Sequence, residues 1–184
     1  MPFNSESMIG FQEREEEALK ATRVPEDTYL LEITEGKVFD SNGLPRLQVG
    51  HKTVAAKTDG QIGRYHTEFL GWFASETSES PKPIEERNRT IRKMTESRLQ
   101  GYLKSLEESP TSDQDLGESL DEAITSLVGQ DDPEEVREIM NAIGAMLDGQ
   151  IITGAIKYSK NGDFVNLYAN TFDTTIGAAE AVAV

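Results

Sequence analysis

The chain has 184 residues, no cysteine, and a formal net charge of −15 from 18 Lys+Arg and 33 Asp+Glu. That length accommodates one domain, or one domain carrying a large insertion. The absence of cysteine excludes disulfides, thiolate metal sites and a cysteine nucleophile, and no apolar run is long enough to span a bilayer.

The acidity argues against a uniformly basic nucleic-acid binder, but it is unevenly spread. Residues Lys82–Lys104 hold seven Lys/Arg against three Asp/Glu, Lys37–Pro81 five against five, and Ser105–Asp148 one against thirteen. Charges separated by more than about 10 Å are largely screened, so an anionic ligand can meet a locally neutral or positive face.

In chain order, Phe11–Lys20 favours a short surface helix by composition. Val24-Pro25 is a turn, because the residue before proline is pushed out of the helical region. A strand follows over Thr28–Thr34 and continues through a bulge at Gly36 into Lys37–Phe39. Asp40–Gly43 is a turn, and Pro45–Ala56 is a second strand in which Leu47, Val49, His51, Thr53 and Ala55 alternate with Arg46, Gln48, Gly50, Lys52 and Val54. After the glycine loop Thr58–Gly63, a third strand runs from Arg64 to Phe73, with Tyr65, Thr67, Phe69 and Phe73 read as the apolar face.

Three helices come next. The first spans Ile84–Glu107 with an apolar stripe through Ile91, Met94, Leu99, Tyr102, Leu103 and Leu106, and a basic exposed side. The second carries Leu116, Leu120, Ile124 and Leu127. The third has sharp ends: Asp132 as N-cap, Pro133 at the first helical position, and Gly149 as stop. Strand periodicity then returns over Gln150–Tyr158 and Asp163–Ala169, joined through Asn161-Gly162, a strong hairpin signal.

Three strands, a helical segment and two strands follow the order of an OB-fold, a small five-stranded barrel with a helical connection between strands 3 and 4. The expected fold class is therefore mainly β with an α insertion. Residues 1–23 form an N-terminal extension, 24–173 the OB-fold domain with its insertion over 81–149, and 174–184 a tail.

At this point the chain resembles a group of bacteriophage single-stranded DNA-binding proteins with an OB-fold. The resemblance rests on Val24–Tyr29 entering the first strand, Asp40–Pro45 before the second, Gly60–Arg64 before the third, and Gly149–Tyr158 followed by Asn161-Gly162. It implies binding of single-stranded DNA without strong sequence preference, in support of phage replication or recombination. It implies no cofactor, phage or host replication and recombination proteins as candidate partners, and the host cytoplasm as the compartment, which suits a chain lacking cysteine and a basic, apolar leader. No membrane partner is expected, and assembly into a homo-oligomer stays open.

Single-strand binding needs cations for the phosphates and exposed rings on which bases stack. The candidates are Lys37, Phe39, Arg46, Lys52, Lys57, Arg64, His66, Trp72, Lys157 and Tyr168. Arg46, Lys52, Arg64, His66 and Trp72 are placed on strand faces opposite the more apolar ones. The densest basic run, Arg87, Arg89, Arg92, Lys93 and Arg98, either extends a phosphate path or pairs with the acidic helices. His51 and His66 lie in no ligand-spaced cluster, and no phosphate loop, dinucleotide fingerprint or serine elbow occurs, so neither a metal site nor an enzyme is expected. The competing reading is an acidic protein-interaction or DNA-mimic module working through the helical insertion.

Overall fold

The computed structural model describes residues 23–77 and 79–177. The helix expected over Phe11–Lys20 and the tail from residue 178 onward lie outside the described residues. Five strands and three helices are present: β1 (Asp27–Ser41), β2 (Leu44–Ala56), β3 (Tyr65–Gly71), α1 (Ile84–Glu107), α2 (Gln114–Leu127), α3 (Pro133–Leu147), β4 (Ile151–Tyr158) and β5 (Val165–Asn170). All ladders are antiparallel and the sheet order is β3-β2-β1-β4-β5.

Local chemistry sets these boundaries. Asn42 and Gly43 both take positive φ, 54° and 76°, so β1 and β2 are joined by a two-residue turn between the paired Ser41 and Leu44. β1 runs unbroken through Gly36; its register shifts fall between Leu30 and Leu31 and between Ile33 and Glu35, before the glycine expected to bulge. Gly36 instead admits α3: a Cβ there would lie 2.2 Å from the Gly144 carbonyl oxygen. Asp132 caps α3, accepting from the Glu134 and Glu135 amides at 2.8 and 3.3 Å, and Gly149 follows the helix at φ 77°.

One face of the sheet is covered by helices. Tyr29, Leu31, Ile33, Leu47 and Val49 meet Leu120, Ile124, Val136, Met140 and Ile143 of α2 and α3, and Leu99, Tyr102 and Leu106 of α1, all essentially inaccessible to solvent. At about 25 cal/mol per Å² of apolar surface, this single continuous core is the main stabilising term. Among the described residues, the opposite, outer face of β1–β3 carries no helix.

The sheet is not closed: among the described residues β3 pairs only with β2, and β5 only with β4. Both open edges turn backbone groups to a helix rather than to each other. Thr53 donates to the Arg64 carbonyl at 2.8 Å, so by alternation His66, Glu68 and Leu70 turn their backbone groups toward β2, while Tyr65, Thr67, Phe69 and Gly71 turn theirs to the open edge. On β5 the same alternation, set by the Ser159 amide on the Phe164 carbonyl at 2.8 Å, turns Leu167 and Ala169 outward. Helix α1 occupies the gap. Thr95 Oγ1 donates to the Gly71 carbonyl at 2.6 Å, the Arg98 guanidinium donates to the Leu167 carbonyl, and Gly101 lies so close that a Cβ would come within 2.6 Å of the Ala169 oxygen.

Candidate nucleic-acid interface

The outer face of β1–β3 is built by register. Lys52 pairs with Glu32 and Tyr65, Gly50 with Glu35 and Thr67, Gln48 with Lys37 and Phe69, and Arg46 with Phe39 and Gly71. All these side chains point away from the core, because period-two alternation places Leu47, Val49, His51 and Thr53 inward. Phe69 is 55 % exposed and Tyr65 67 %. Phe39 and Phe69 form an edge-to-face pair, and Lys52 Nζ lies 5.9 Å from the Tyr65 ring centroid. Lys37 is tied to Glu35 at 2.5 Å, and Gln48 Nε2 donates to the same carboxylate at 2.9 Å. Among the described residues Arg46 and Lys52 make no salt bridge.

The ten residues named from sequence separate into groups. Lys37, Phe39, Arg46 and Lys52 converge on this face. Lys57 and Arg64 sit at the ends of the β2–β3 loop, Lys57 exposed and paired with Asp173 at 3.0 Å, Arg64 donating from Nε to Gln61 Oε1 at 2.9 Å. That loop is held from below: the Asp27 carboxylate accepts from the Thr58 and Gly60 amides at 3.0 and 2.8 Å; burial pushes its carboxyl up, but hydrogen bonds from the Thr58 side chain and the Thr28, Thr58 and Gly60 amides together hold it below the usual range. Lys157 is exposed on β4 and Tyr168 on β5, beyond the β1–β3 face.

His66 and Trp72 require correction. β3 presents His66, Glu68, Leu70 and, just beyond it, Trp72 to the interior, and Tyr65, Thr67 and Phe69 to solvent. Its apolar residues are thus on the face opposite to that expected. The pairings Leu47–Leu70, Val49–Glu68 and His51–His66 dictate this. Trp72 is 1 % exposed and its indole N–H donates to the Gln130 carbonyl at 2.9 Å; it cannot stack on a base. Tyr65 and Phe69 were missed as surface rings. The available signal was Trp72: the largest ring belongs in the core, and counting back by twos puts Leu70, Glu68 and His66 beside it.

Inward from β3 runs a buried polar chain. Tyr102 donates its hydroxyl proton to Glu68 Oε2 at 2.7 Å, so its oxygen accepts from His51 Nε2 at 2.8 Å. Arg98 Nε stands 3.4 Å from Glu68 Oε1. Burial, then the neighbouring His66, depresses the His51 imidazole to about 3. Burial raises the Glu68 carboxyl against the pull of Tyr102 and Arg98, and burial with the Glu68 charge raises the Tyr102 phenol. These groups form a buried core network in which His51 Nδ1 is left without a partner.

Among the described residues no group of three or more His, Asp or Glu is arranged to hold a metal, and no helix is long and apolar enough to cross a membrane. No protein-family model and no curated protein matches this chain, so the site rests on its own geometry.

Proposed function

We propose that this protein binds single-stranded DNA, without strong sequence preference, across the outer face of β1–β3. The observation that carries the reading is the placement of solvent-facing rings, Tyr65 and Phe69, on the same sheet face as Lys52 and Arg46, a face that no helix covers among the described residues. Rings offer every base a stacking partner, and cations beside them neutralise phosphates. The strand order supports an OB-type reading: a ladder between β3 and β5 would close the sheet into a five-stranded barrel, and in such barrels the strand 2–3 face and the adjoining loops contact oligonucleotides. A role in phage replication or recombination rests on the sequence resemblance alone.

Because the single tryptophan is buried, its emission is a poor reporter, and the test is anisotropy of a labelled oligothymidine. Binding is expected to weaken steeply with salt and to favour single over double strands. No binding at low salt overturns the proposal.

A second reading is supported by one observation. Asp115, Glu118, Asp121 and Glu122 of α2, with Glu135 and Glu138 of α3, are exposed and, among the described residues, make no salt bridge. That surface suits a basic protein partner. Deleting the helices is no test, since Leu120, Ile124 and Met140 are core residues; neutralising Asp121, Glu122 and Glu138 is.

A further inference from the structure

The same seam that keeps the sheet open also leaves a groove. One cleft of about 350 Å³ lies between β3 and α1, with Glu68 and Leu70 among its walls and Phe69 and Met94 among its lining residues. A second, of about 410 Å³, adjoins it and is lined by Lys93, Met94, Arg98 and Tyr168. Met94 and Arg98 line both, so the two clefts are neighbours on α1. The first cleft also includes Arg46 and Phe69, which belong to the outer sheet face.

We infer that a bound single strand continues off the sheet at Phe69 and along this groove, making α1 a second contact surface for bases and phosphates; this rests on the single-strand reading above. Three observations support it. Large apolar surfaces recur along the path: Phe69 at 55 %, Met94 at 59 % and Tyr168 at 47 % exposure, the last backed by the Arg98 guanidinium 4.2 Å from its ring centroid. Second, three of the cations of α1 are committed. Arg92 holds Asp131 at 2.8 Å, Arg87 donates to the Ser75 carbonyl at 2.9 Å, and Arg98 bridges Glu68 and Leu167. Arg46, lining the first cleft, and Lys93, lining the second, make no salt bridge among the described residues and stay available to an anion. Third, exposed rings (Phe69, Tyr168) and the unpaired cations Arg46 and Lys93 line the same two clefts, the combination single-strand binding requires.

The experiment compares oligothymidines of about four and about sixteen nucleotides, the span of known OB-type site sizes, by anisotropy across a salt series. The proteins are wild type, Lys93→Gln, Met94→Ala and Phe69→Ala. Lys93 and Met94 are exposed, so circular dichroism of the variants should match wild type. Lys93→Gln is expected to flatten the slope of log K against log salt by about 0.7 for the long oligonucleotide, one phosphate contact, and to leave the short one unchanged. Met94→Ala is expected to weaken binding of the long oligonucleotide and to leave the short one unchanged. If both variants bind the long oligonucleotide like wild type while Phe69→Ala weakens it, the path ends at the sheet; this inference falls and the single-strand reading stands. If wild type binds neither oligonucleotide, both fall.

Discussion

Phe39 of β1 and Phe69 of β3 meet edge to face across β2, their ring centroids 5.6 Å apart and their planes at 76°. The contact joins two strands that are not hydrogen-bonded neighbours and fixes both rings on the outer face. Replacing either by alanine is expected to reduce oligothymidine affinity by about 1–3 kcal/mol. The double variant should lose less than the sum, since each ring positions the other. Unchanged affinity in both single variants removes this face from the interface.

Trp72 separates packing from binding. Trp72→Phe removes the donor to the Gln130 carbonyl and leaves a smaller ring in a filled site. It is expected to lower unfolding stability by about 1–3 kcal/mol, read by chemical denaturation, with oligonucleotide affinity unchanged where the variant is folded. A large loss of affinity with full stability would return Trp72 to the interface.

Gly144 tests how α3 docks on the sheet. An added Cβ would lie 2.7 Å from the Gly36 carbonyl oxygen, a backbone atom that cannot swing aside. Gly144→Ala is expected to cost about 1–3 kcal/mol or more, despite alanine's better helix propensity. A stabilised variant would show that α3 can move away from β1 freely.

His51 gives the fold an acid limit. Its imidazole titrates near 6.5 when unfolded and at about 3 when folded, because burial and then His66 disfavour the cation. Between those values the unfolded chain binds the proton and the folded chain does not, so stability falls as pH drops below 6.5, by at most about 1.4 kcal/mol per pH unit. His66, lowered by burial and by Arg98, acts in the same sense. Glu68 acts oppositely: its raised carboxyl loses stability as pH rises through its folded value from about 4.5. The decline between pH 6.5 and 5 therefore belongs to the histidines. Urea denaturation of His51→Gln, which keeps a donor toward Tyr102, should show a shallower decline over that interval. An identical pH profile would contradict this assignment.

Much of the architecture was legible in the residues. Asn42-Gly43 and Asn161-Gly162 mark turns that need positive φ, Asp132-Pro133 opens α3, and the stripe through Leu99, Leu103 and Leu106 fixes the buried side of α1. Each is local chemistry, decided by a few neighbouring residues. The outer-face positions of Arg46 and Lys52 followed from β2 alone, whose alternation is clean.

β3 was a different case. Tyr65-His66-Thr67-Glu68-Phe69 carries rings on one face and polar groups on the other, so apolarity alone pointed the wrong way. The pairing with Leu47, Val49 and His51 turned His66 and Glu68 inward, where Tyr102 and Arg98 of α1, far away in sequence, satisfy Glu68. The sequence by itself determined the elements, their order and their turns, because propensity, capping and periodicity act over a few residues. Only the tertiary structure decided which face of β3 meets solvent and that α1 fills the seam between β3 and β5, because both depend on hydrogen bonds and buried polar partners supplied by distant segments.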